Sequence, residues 1–116
     1  MRYEEIEPIG RVDAEAALQR GVPDELLTVV LSVVLHEVEL VWAENFCRGL
    51  ASHAHPSVRG NAVLGLGHLA RRFGTLEPSA VPIIESALHD PDEFVRGQAH
   101  AAADDLNHFL GLRLAP

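Results

Sequence analysis

The chain has 116 residues, of which 47 % are hydrophobic and 22 % charged, so it can bury one core and is too apolar to stay disordered. Its 17 acidic residues outnumber 9 arginines, and it has no lysine, which gives a formal net charge of −8 and disfavours nucleic-acid binding. We therefore expect one domain over residues 1–116, whose partner, if charged, is basic.

The single cysteine and the short apolar runs limit the class of protein further. Cys47 has no second cysteine to pair with, and no secretory signal pattern opens the sequence, so we expect a reducing, cytoplasmic setting. The longest apolar run, residues 26–35, is half of the ~20 residues that a membrane-spanning helix needs. The sequence predicts no membrane span and no cofactor.

Helical signals begin after an opening segment, residues 1–10, that has no clear periodicity. Asp13 is placed to cap a short helix that Gly21 ends, because glycine takes the left-handed conformation without steric cost. Pro23 suits the first turn of a second helix, which continues to His36. These two helices form the first predicted hairpin, over about residues 11–36.

A second pair of helices follows. Apolar residues at helical spacing predict a helix from about Glu37 to Ser52, which ends before the next proline. Pro56 then opens a longer helix that continues to Phe73 and ends at Gly74. Its apolar stripe consists of Val58, Ala62, Leu66, Leu69 and Phe73. The second predicted hairpin therefore covers residues 37–73.

The third pair completes the chain. Pro78 starts a short helix, and Asp90 is placed to cap a helix from Pro91 to about Leu110, which Gly111 ends. This gives a third hairpin over residues 78–111. Because helix signals occur throughout and strand signals hardly anywhere, the sequence predicts an all-α protein.

The second and third hairpins share a similar sequence motif. Residues 55–62 have the sequence HPSVRGNA and residues 90–99 have DPDEFVRGQA, and the prolines at positions 23, 56 and 91 are 33 and 35 residues apart. A period of this length is typical of stacked helical repeats, in which neighbouring hairpins share one core. We therefore expect a short α-solenoid of about three hairpins.

At these residues the sequence resembles the HEAT-like repeats of bacterial proteins, which include the PBS-lyase type. The stretch DPDEFVRGQAHAAADDL matches their second-helix pattern well, HPSVRGNAVLGLGHLA matches it with two residues fewer before Val-Arg, and GHLAR at residues 67–71 adds to the likeness. The resemblance implies an α-solenoid fold. It also implies a group of small proteins of which some are immunity partners of secreted toxins.

Arg59 and Arg96 follow the repeated valines near the start of their helices, where a cation is unfavourable unless it is paired. We expect each to bridge to a carboxylate or carbonyl of the neighbouring repeat and so to set the stacking register; a ligand-binding role is the alternative. Glycines within a helix lower its stability, so close contact between helices is the expected gain from Gly60, Gly65 and Gly67.

The sequence contains no recognisable catalytic motif, and we predict a non-enzymatic protein with no catalytic residue. Cys47 lies on an apolar helical stripe, where a thiol is a poor nucleophile. His100, Asp104 and His108 are spaced i, i+4 and i+8, which could supply metal ligands, but a solvated acidic face explains the same residues. We therefore assign no metal site.

Two groups of residues are predicted to contact a partner. The first is a ridge on the second helices, opposite the buried stripe; it comprises Asn61, His68, Gln98, Asp105 and His108. The second is Trp42 flanked by Glu37, Glu39 and Glu44, because an exposed aromatic ringed by carboxylates suits a basic partner. For Trp42 the alternative is packing in the core.

The leading hypothesis is a non-catalytic, cytoplasmic bacterial protein-binding module, an immunity protein that sequesters a basic, nuclease-like toxin. Acidic side chains would occupy the phosphate-binding surface of that toxin. Two alternatives stay open: a small-ligand or metal-binding HEAT-like protein of the lyase or chaperone type, and a structural adaptor or homodimer built through an open repeat end.

Overall fold

The computed structural model describes residues 6–114, in which six α-helices form and no strand occurs. The helices are α1 (Arg11–Arg20), α2 (Pro23–His36), α3 (Leu40–Leu50), α4 (Pro56–Phe73), α5 (Val81–Ala87) and α6 (Glu93–Leu110). A 3₁₀ turn, Pro78–Ala80, leads into α5. The predicted all-α class is confirmed. Among the described helices, none combines the length and the apolar character that crossing a membrane would take.

Consecutive helices pack as three hairpins, α1 with α2, α3 with α4, and α5 with α6. Helix α4 lies in the middle, because it packs against α2 on one side and, most extensively, against α6 on the other. The second helices of the three hairpins therefore lie in the order α2, α4, α6. This is the order expected of stacked hairpins in a short solenoid. The assignment of one domain to residues 1–116 stays a prediction.

The helix ends predicted at three glycines and the helix starts predicted at Pro23 and Pro56 are confirmed. Gly21, Gly74 and Gly111 follow α1, α4 and α6 with φ between 67° and 71°, the left-handed conformation that other residues adopt at a cost. Pro23 and Pro56 occupy the first turns of α2 and α4. Both signals are local, since they depend on the backbone of one residue.

Two predicted caps are wrong. Helix α1 begins at Arg11 after Gly10, so Asp13 lies inside its first turn and does not cap it. At α6 the capping residue is Asp92, whose Oδ1 accepts the backbone N–H groups of Phe94 at 2.8 Å and Val95 at 3.4 Å. Asp90 lies two residues before this cap; its carboxylate accepts the backbone N–H of Asp92 at 2.9 Å and also binds an arginine of the preceding hairpin.

Two first helices also begin later than predicted. Helix α3 begins at Leu40 and not at Glu37, whose carboxylate instead accepts the backbone N–H of Glu39 at 2.8 Å and closes a turn before the helix. The helix predicted from Pro78 has its regular α-helical part only from Val81, after the 3₁₀ turn.

The core runs along the apolar stripe predicted for α4. Four members of that stripe, Val58, Ala62, Leu66 and Leu69, have no exposed surface, and Phe73 lies half-buried at its end. They pack with Leu26 and Val30 of α2, Cys47 of α3, Ile84 of α5, and Val95, Ala99 and Leu106 of α6. One continuous core therefore joins all three hairpins.

The helix glycines permit a close approach between neighbouring helices, as predicted. A Cβ at Gly67 would lie 2.7 Å from Cα of Ala102, which is too short for any contact between carbon atoms. A Cβ at Gly60 would lie 2.8 Å from the ring of Phe94, and one at Gly65 would lie 2.9 Å from a methyl group of Val34. At Gly67 the obstacle is backbone, so it cannot rotate away.

The junction between the second and third hairpins is also held by an ion pair. Arg59 donates from Nε and Nη2 to the two carboxylate oxygens of Asp90, both at 2.8 Å, and the two side chains are 17 % and 13 % exposed. The hydrogen bond from Arg59 is the main cause that lowers the pKa of Asp90. The predicted bridge to the neighbouring repeat is therefore confirmed for Arg59. It is wrong for Arg96, which donates to two backbone carbonyls of its own hairpin.

Replacing Gly67 tests the close approach of α4 and α6. We expect Gly67→Ala to lower the free energy of unfolding by at least ~2 kcal/mol, because the helices must separate to admit the methyl group. In Gly97→Ala, the matched control, a Cβ meets no atom within 4 Å, so the gain in helix propensity should raise stability by up to about 1 kcal/mol. Urea unfolding measures both, and two variants that change stability in the same direction would contradict this account.

Replacing Arg59 tests the ion pair. Arg59→Ala leaves a mostly buried carboxylate without its cation, so we expect stability to fall by about 2 kcal/mol. Arg20, which pairs with Glu25 on the surface with 54 % of its side chain exposed, is the control; Arg20→Ala should change little. Thermal unfolding followed by circular dichroism compares them, and equal losses would show that the position of Arg59 between hairpins is unimportant.

Candidate functional site

All five residues predicted to form the ridge on the second helices are at least partly exposed, and two of them, Asn61 and Gln98, contact each other. Asn61 on α4 donates to the carbonyl of Ser57 at 2.8 Å and accepts a hydrogen bond from the Gln98 amide of α6 at 3.3 Å. Both side chains are partly exposed. The pair therefore connects neighbouring hairpins, and much of its hydrogen-bonding capacity is used within the protein.

Two turns further along, His68 of α4 and Asp105 of α6 form the next pair of the ridge. Burial lowers the pKa of His68, while the negative charge of Asp105 opposes that change. The imidazole is therefore mainly neutral at pH 7 and can both donate and accept a hydrogen bond. His108, the last ridge residue, is exposed and packs against Phe109 with ring centroids 4.5 Å apart.

Beside the ridge lies a narrow groove between α2 and α4. Its apolar wall is made by Leu31, Leu35 and Leu64, and Asn61 and His68 form its polar edge. The groove has a volume of about 20 Å³, which is close to that of one water molecule. This groove is therefore too small to enclose an organic ligand.

A wider cleft of about 620 Å³ opens between α3 and α5. Its polar lining includes Arg48, Ser52, Ser86 and His89. Arg48 already donates to the hydroxyl of Ser79. This arrangement presents hydrogen-bonding groups but no pair of residues in contact that could act as nucleophile and base.

The histidines considered as metal ligands lie on the outer face of α6, where His100, Asp104 and His108 are all exposed. Within residues 6–114, no three His, Cys, Asp or Glu side chains come close enough together to hold a metal ion. Cys47 is fully buried, and its burial raises the pKa of the thiol to about 12. The thiol is thus protonated and shielded, as its apolar neighbours in the sequence predicted.

The second predicted surface is organised by Arg11 at the start of α1. Its guanidinium binds both carboxylate oxygens of Glu37, at 2.8 and 3.2 Å, and lies 3.3 Å from the carboxylate of Glu39. The same group lies 5.2 Å from the ring centroid of Trp42. One arginine therefore brings together three of the four residues predicted for this surface.

The two carboxylates bound by Arg11 differ in what they can offer a partner. The Glu37 side chain is 11 % exposed, and the hydrogen bond from Arg11, followed by that from the backbone N–H of Glu39, lowers its pKa to about 2. Glu39 is 68 % exposed. Glu37 thus serves mainly to hold the surface together, and Glu39 is the carboxylate that a partner can reach.

Glu44 is the exception, because it does not lie on this surface. It is 1 % exposed, and its Oε1 accepts the backbone N–H of Glu77 at 3.0 Å, in the segment between the second and third hairpins. The expectation that Glu44 lies beside an exposed Trp42 is wrong. Its position on α3 faces inward together with Ala43 and Cys47, and the N–H it accepts stabilises a buried carboxylate.

Trp42 is both packed against the core and partly accessible, so it has features of the two roles considered for it, core packing and partner contact. It is partly buried against the core and stacks on Phe46 with ring centroids 5.4 Å apart. It also lines a shallow cleft of about 250 Å³ together with Glu15, Leu18 and Asn45. Its ring is therefore fixed in orientation while part of it stays accessible, which suits an interface residue.

The sequence did not identify two components of this surface. One is Arg11, whose carboxylate partner lies 26 residues away, so no local pattern reveals the contact. The other is a set of exposed valines on α1, α3 and the turn before α3: Val12, Val38 and Val41 are 80 %, 78 % and 61 % exposed. Exposed apolar side chains indicate an interface where they form a patch, and Val38 and Val41 lie within four residues of Trp42 along the chain. We call Arg11, Val38, Glu39, Val41 and Trp42 the Trp42 surface.

No protein-family model matches the sequence, and no curated protein matches it either. Among solved structures, the chain is similar to one in the crystal structure of the CDI complex from Cupriavidus taiwanensis LMG 19424, where CDI denotes contact-dependent inhibition. The two share 31 % sequence identity and superpose with a TM-score of 0.80, over 94 % of this chain and 97 % of the other. The likeness extends over all three hairpins.

Replacing Glu44 separates a structural role from a binding role. We expect Glu44→Ala to lower stability by about 2 kcal/mol, because it opens a cavity and leaves the N–H of Glu77 without its acceptor. Glu44→Gln keeps an acceptor oxygen and should retain most of the stability. Chemical denaturation compares the two, and an alanine variant as stable as the unmodified protein would contradict the buried position.

The low pKa of Glu37 predicts a pH-dependent contribution to stability. A carboxylate with a lowered pKa in the folded state stabilises the fold fully above its unfolded pKa of about 4.3, and this contribution is lost as the pH falls towards about 2. Glu37→Gln should therefore be less stable than the unmodified protein at pH 7, with a difference that shrinks below pH ~4. Urea unfolding at several pH values measures it, and a difference independent of pH would rule the explanation out.

Proposed function

We propose that this protein, which belongs to the same family as a chain of the CDI complex from Cupriavidus taiwanensis, is a non-catalytic immunity protein that binds a toxin. The observation that carries the proposal is the likeness over nearly the full length of both chains. A protein that shares its whole architecture with a component of a complex is expected to present a binding surface of its own. The proposed setting is the bacterial cytoplasm, and the hairpins would act as a HEAT-like scaffold.

Charge supports a basic toxin as the partner. The chain carries a net charge of −8, and Asp13, Glu15 and Glu39 on or near the first two hairpins are exposed. Acidic groups on one protein speed its encounter with a basic partner and disfavour other partners. A toxin that cleaves nucleic acid needs a basic surface for phosphates, so covering that surface would block its substrate.

The Trp42 surface is the better candidate for the main contact. It combines a fixed aromatic ring, the exposed valines Val38 and Val41, and the reachable carboxylate of Glu39, which is the composition of an interface centre with a charged rim. The ridge has fewer free hydrogen-bonding groups, because Asn61 and Gln98 form a hydrogen bond with each other. We assign the ridge a secondary role in partner contact.

Co-expression tests the proposed function directly. The protein is tagged and expressed together with the proteins encoded by the genes on either side of its own. We expect one of them to co-purify in a stable complex and to be toxic when expressed alone. A tagged protein that purifies without either neighbour, and neighbours that are harmless when expressed alone, would overturn the proposal.

Charge reversal within that complex tests the Trp42 surface. Glu39→Lys should slow association about tenfold at low salt, because a rim charge acts mainly on the association rate. Glu85→Lys makes the same change in net charge at an exposed position on α5 and is the matched control, with an expected change of less than about twofold. Stopped-flow or surface-plasmon measurements of the association rate compare them. Equal effects would show that only net charge matters and would exclude this surface.

A further inference from the structure

The repeated arginines are held in the same way in the second and third hairpins. Arg59 donates from Nη1 to the carbonyls of His53 and Ala54, at 2.9 and 3.3 Å. Arg96 donates from Nη1 to the carbonyls of Asp90 and Pro91, at 2.8 and 3.0 Å. In both cases the carbonyls belong to the residues six and five positions earlier. The two guanidinium groups are therefore fixed in equivalent positions by their own hairpins.

The Nε and Nη2 edges of the Arg59 and Arg96 guanidinium groups have different surroundings. The Nε and Nη2 edge of Arg59 binds the carboxylate of Asp90 from the next hairpin at two points. The corresponding edge of Arg96 has no hydrogen-bond acceptor among residues 6–114, because the described chain has no hairpin after α6. Arg96 is partly exposed, so this edge can be reached from solvent.

The glycine that follows each arginine is likewise covered by another hairpin in one case and exposed in the other. Gly60 is buried beneath the ring of Phe94, which the next hairpin supplies four residues after Asp90. Gly97 is exposed, and a Cβ there would meet no atom within 4 Å. The surface beside Arg96 thus repeats the shape that accepts a carboxylate and an aromatic ring at the previous junction.

The first and the last hairpin differ in how the chain segments next to them cover their outer faces. At the first end, the segment before α1 packs back onto α2, where Ser32 donates to the carbonyl of Glu7 at 2.6 Å and Ile6 is buried. At the last end, the described tail turns towards the 3₁₀ turn and α5, and Asn107 holds the backbone of Leu114. The outer face of α6, including Gly97 and His100, stays exposed.

We propose that Arg96 is a binding site for a carboxylate of a partner polypeptide. The occupant is an Asp or Glu side chain at the start of a helix, followed four residues later by a large apolar side chain that packs on Gly97. The internal junction of Arg59 and Gly60 with Asp90 and Phe94 is the template, and the bidentate edge of an arginine is selective for carboxylates. That a partner exists rests on the proposed function, whereas the site itself rests on the repeat.

A peptide copied from the chain tests the site without any toxin. The probe is the capped decapeptide LHDPDEFVRG, which reproduces residues 88–97 and carries both template side chains. It is titrated into the full-length protein while NMR records the Nε–H groups of the arginines. We expect a saturable shift at Arg96, with weak affinity because a short peptide is poorly ordered. The matched probe has asparagine in place of its Asp90, and it should bind about tenfold more weakly.

Variants of the protein sharpen the experiment. Arg96→Gln should abolish the peptide-dependent shifts, and Arg96→Lys should weaken binding severalfold, because lysine keeps the charge but loses the bidentate edge. Arg71→Gln removes an exposed arginine elsewhere and should leave binding unchanged. Three results would each contradict a carboxylate site at Arg96. The two peptides could bind equally well, the shifts could persist in Arg96→Gln, or Arg96 could show no shift at the highest soluble peptide concentration.

Sedimentation of the free protein checks the identity of the occupant. A monomer supports a separate partner, whereas a dimer that Arg96→Gln converts to a monomer would show that a second copy of this chain occupies the site and would overturn the assignment. Because the peptide experiment needs no toxin, its failure leaves the proposed function standing. Conversely, failed co-purification would remove the proposed toxin without contradicting a positive peptide titration.

Discussion

The close approach of α4 and α6 is the contact on which the rest of the structure depends. Gly67 lets the two helix backbones meet, and Arg59 fixes the angle of approach by binding Asp90 at two points. Steric fit alone would permit helices to slide, whereas a bidentate ion pair has one geometry. The combination places Asn61 opposite Gln98, so the arrangement of the ridge residues is a consequence of the core.

The Trp42 surface has a different origin, because it is assembled by a polar contact between the first two hairpins. Arg11 neutralises part of the charge of Glu37 and Glu39 and orients itself over Trp42. The surface therefore offers less net negative charge than its sequence indicates, and it offers more apolar area through its exposed valines. A partner suited to it would bring an apolar contact as well as a cation.

Predictions from the sequence succeeded where one residue or one helix decides the outcome. They failed where a side chain binds a group that is distant along the chain. The glycine ends of α1, α4 and α6 were predictable because left-handed backbone favours glycine at each position separately. The Asp90 cap was wrong because α6 begins after Asp92, while the Asp90 carboxylate binds Arg59 and the backbone N–H of Asp92. Glu44 was misplaced because its acceptor role depends on a backbone N–H at Glu77, 33 residues away.

By itself the sequence determined the all-α class, the hairpin order and the equivalence of the two Val-Arg-Gly phrases, because periodicity and turn chemistry are properties of neighbouring residues. Only the tertiary structure decided which carboxylates are occupied and which are free. Glu37, Glu44 and Asp90 are acidic residues of similar appearance in the sequence, yet each is bound by a group distant from it along the chain. The physical reason is that hydrogen bonding and burial of a charge depend on groups brought close in space, whose positions the local pattern does not contain.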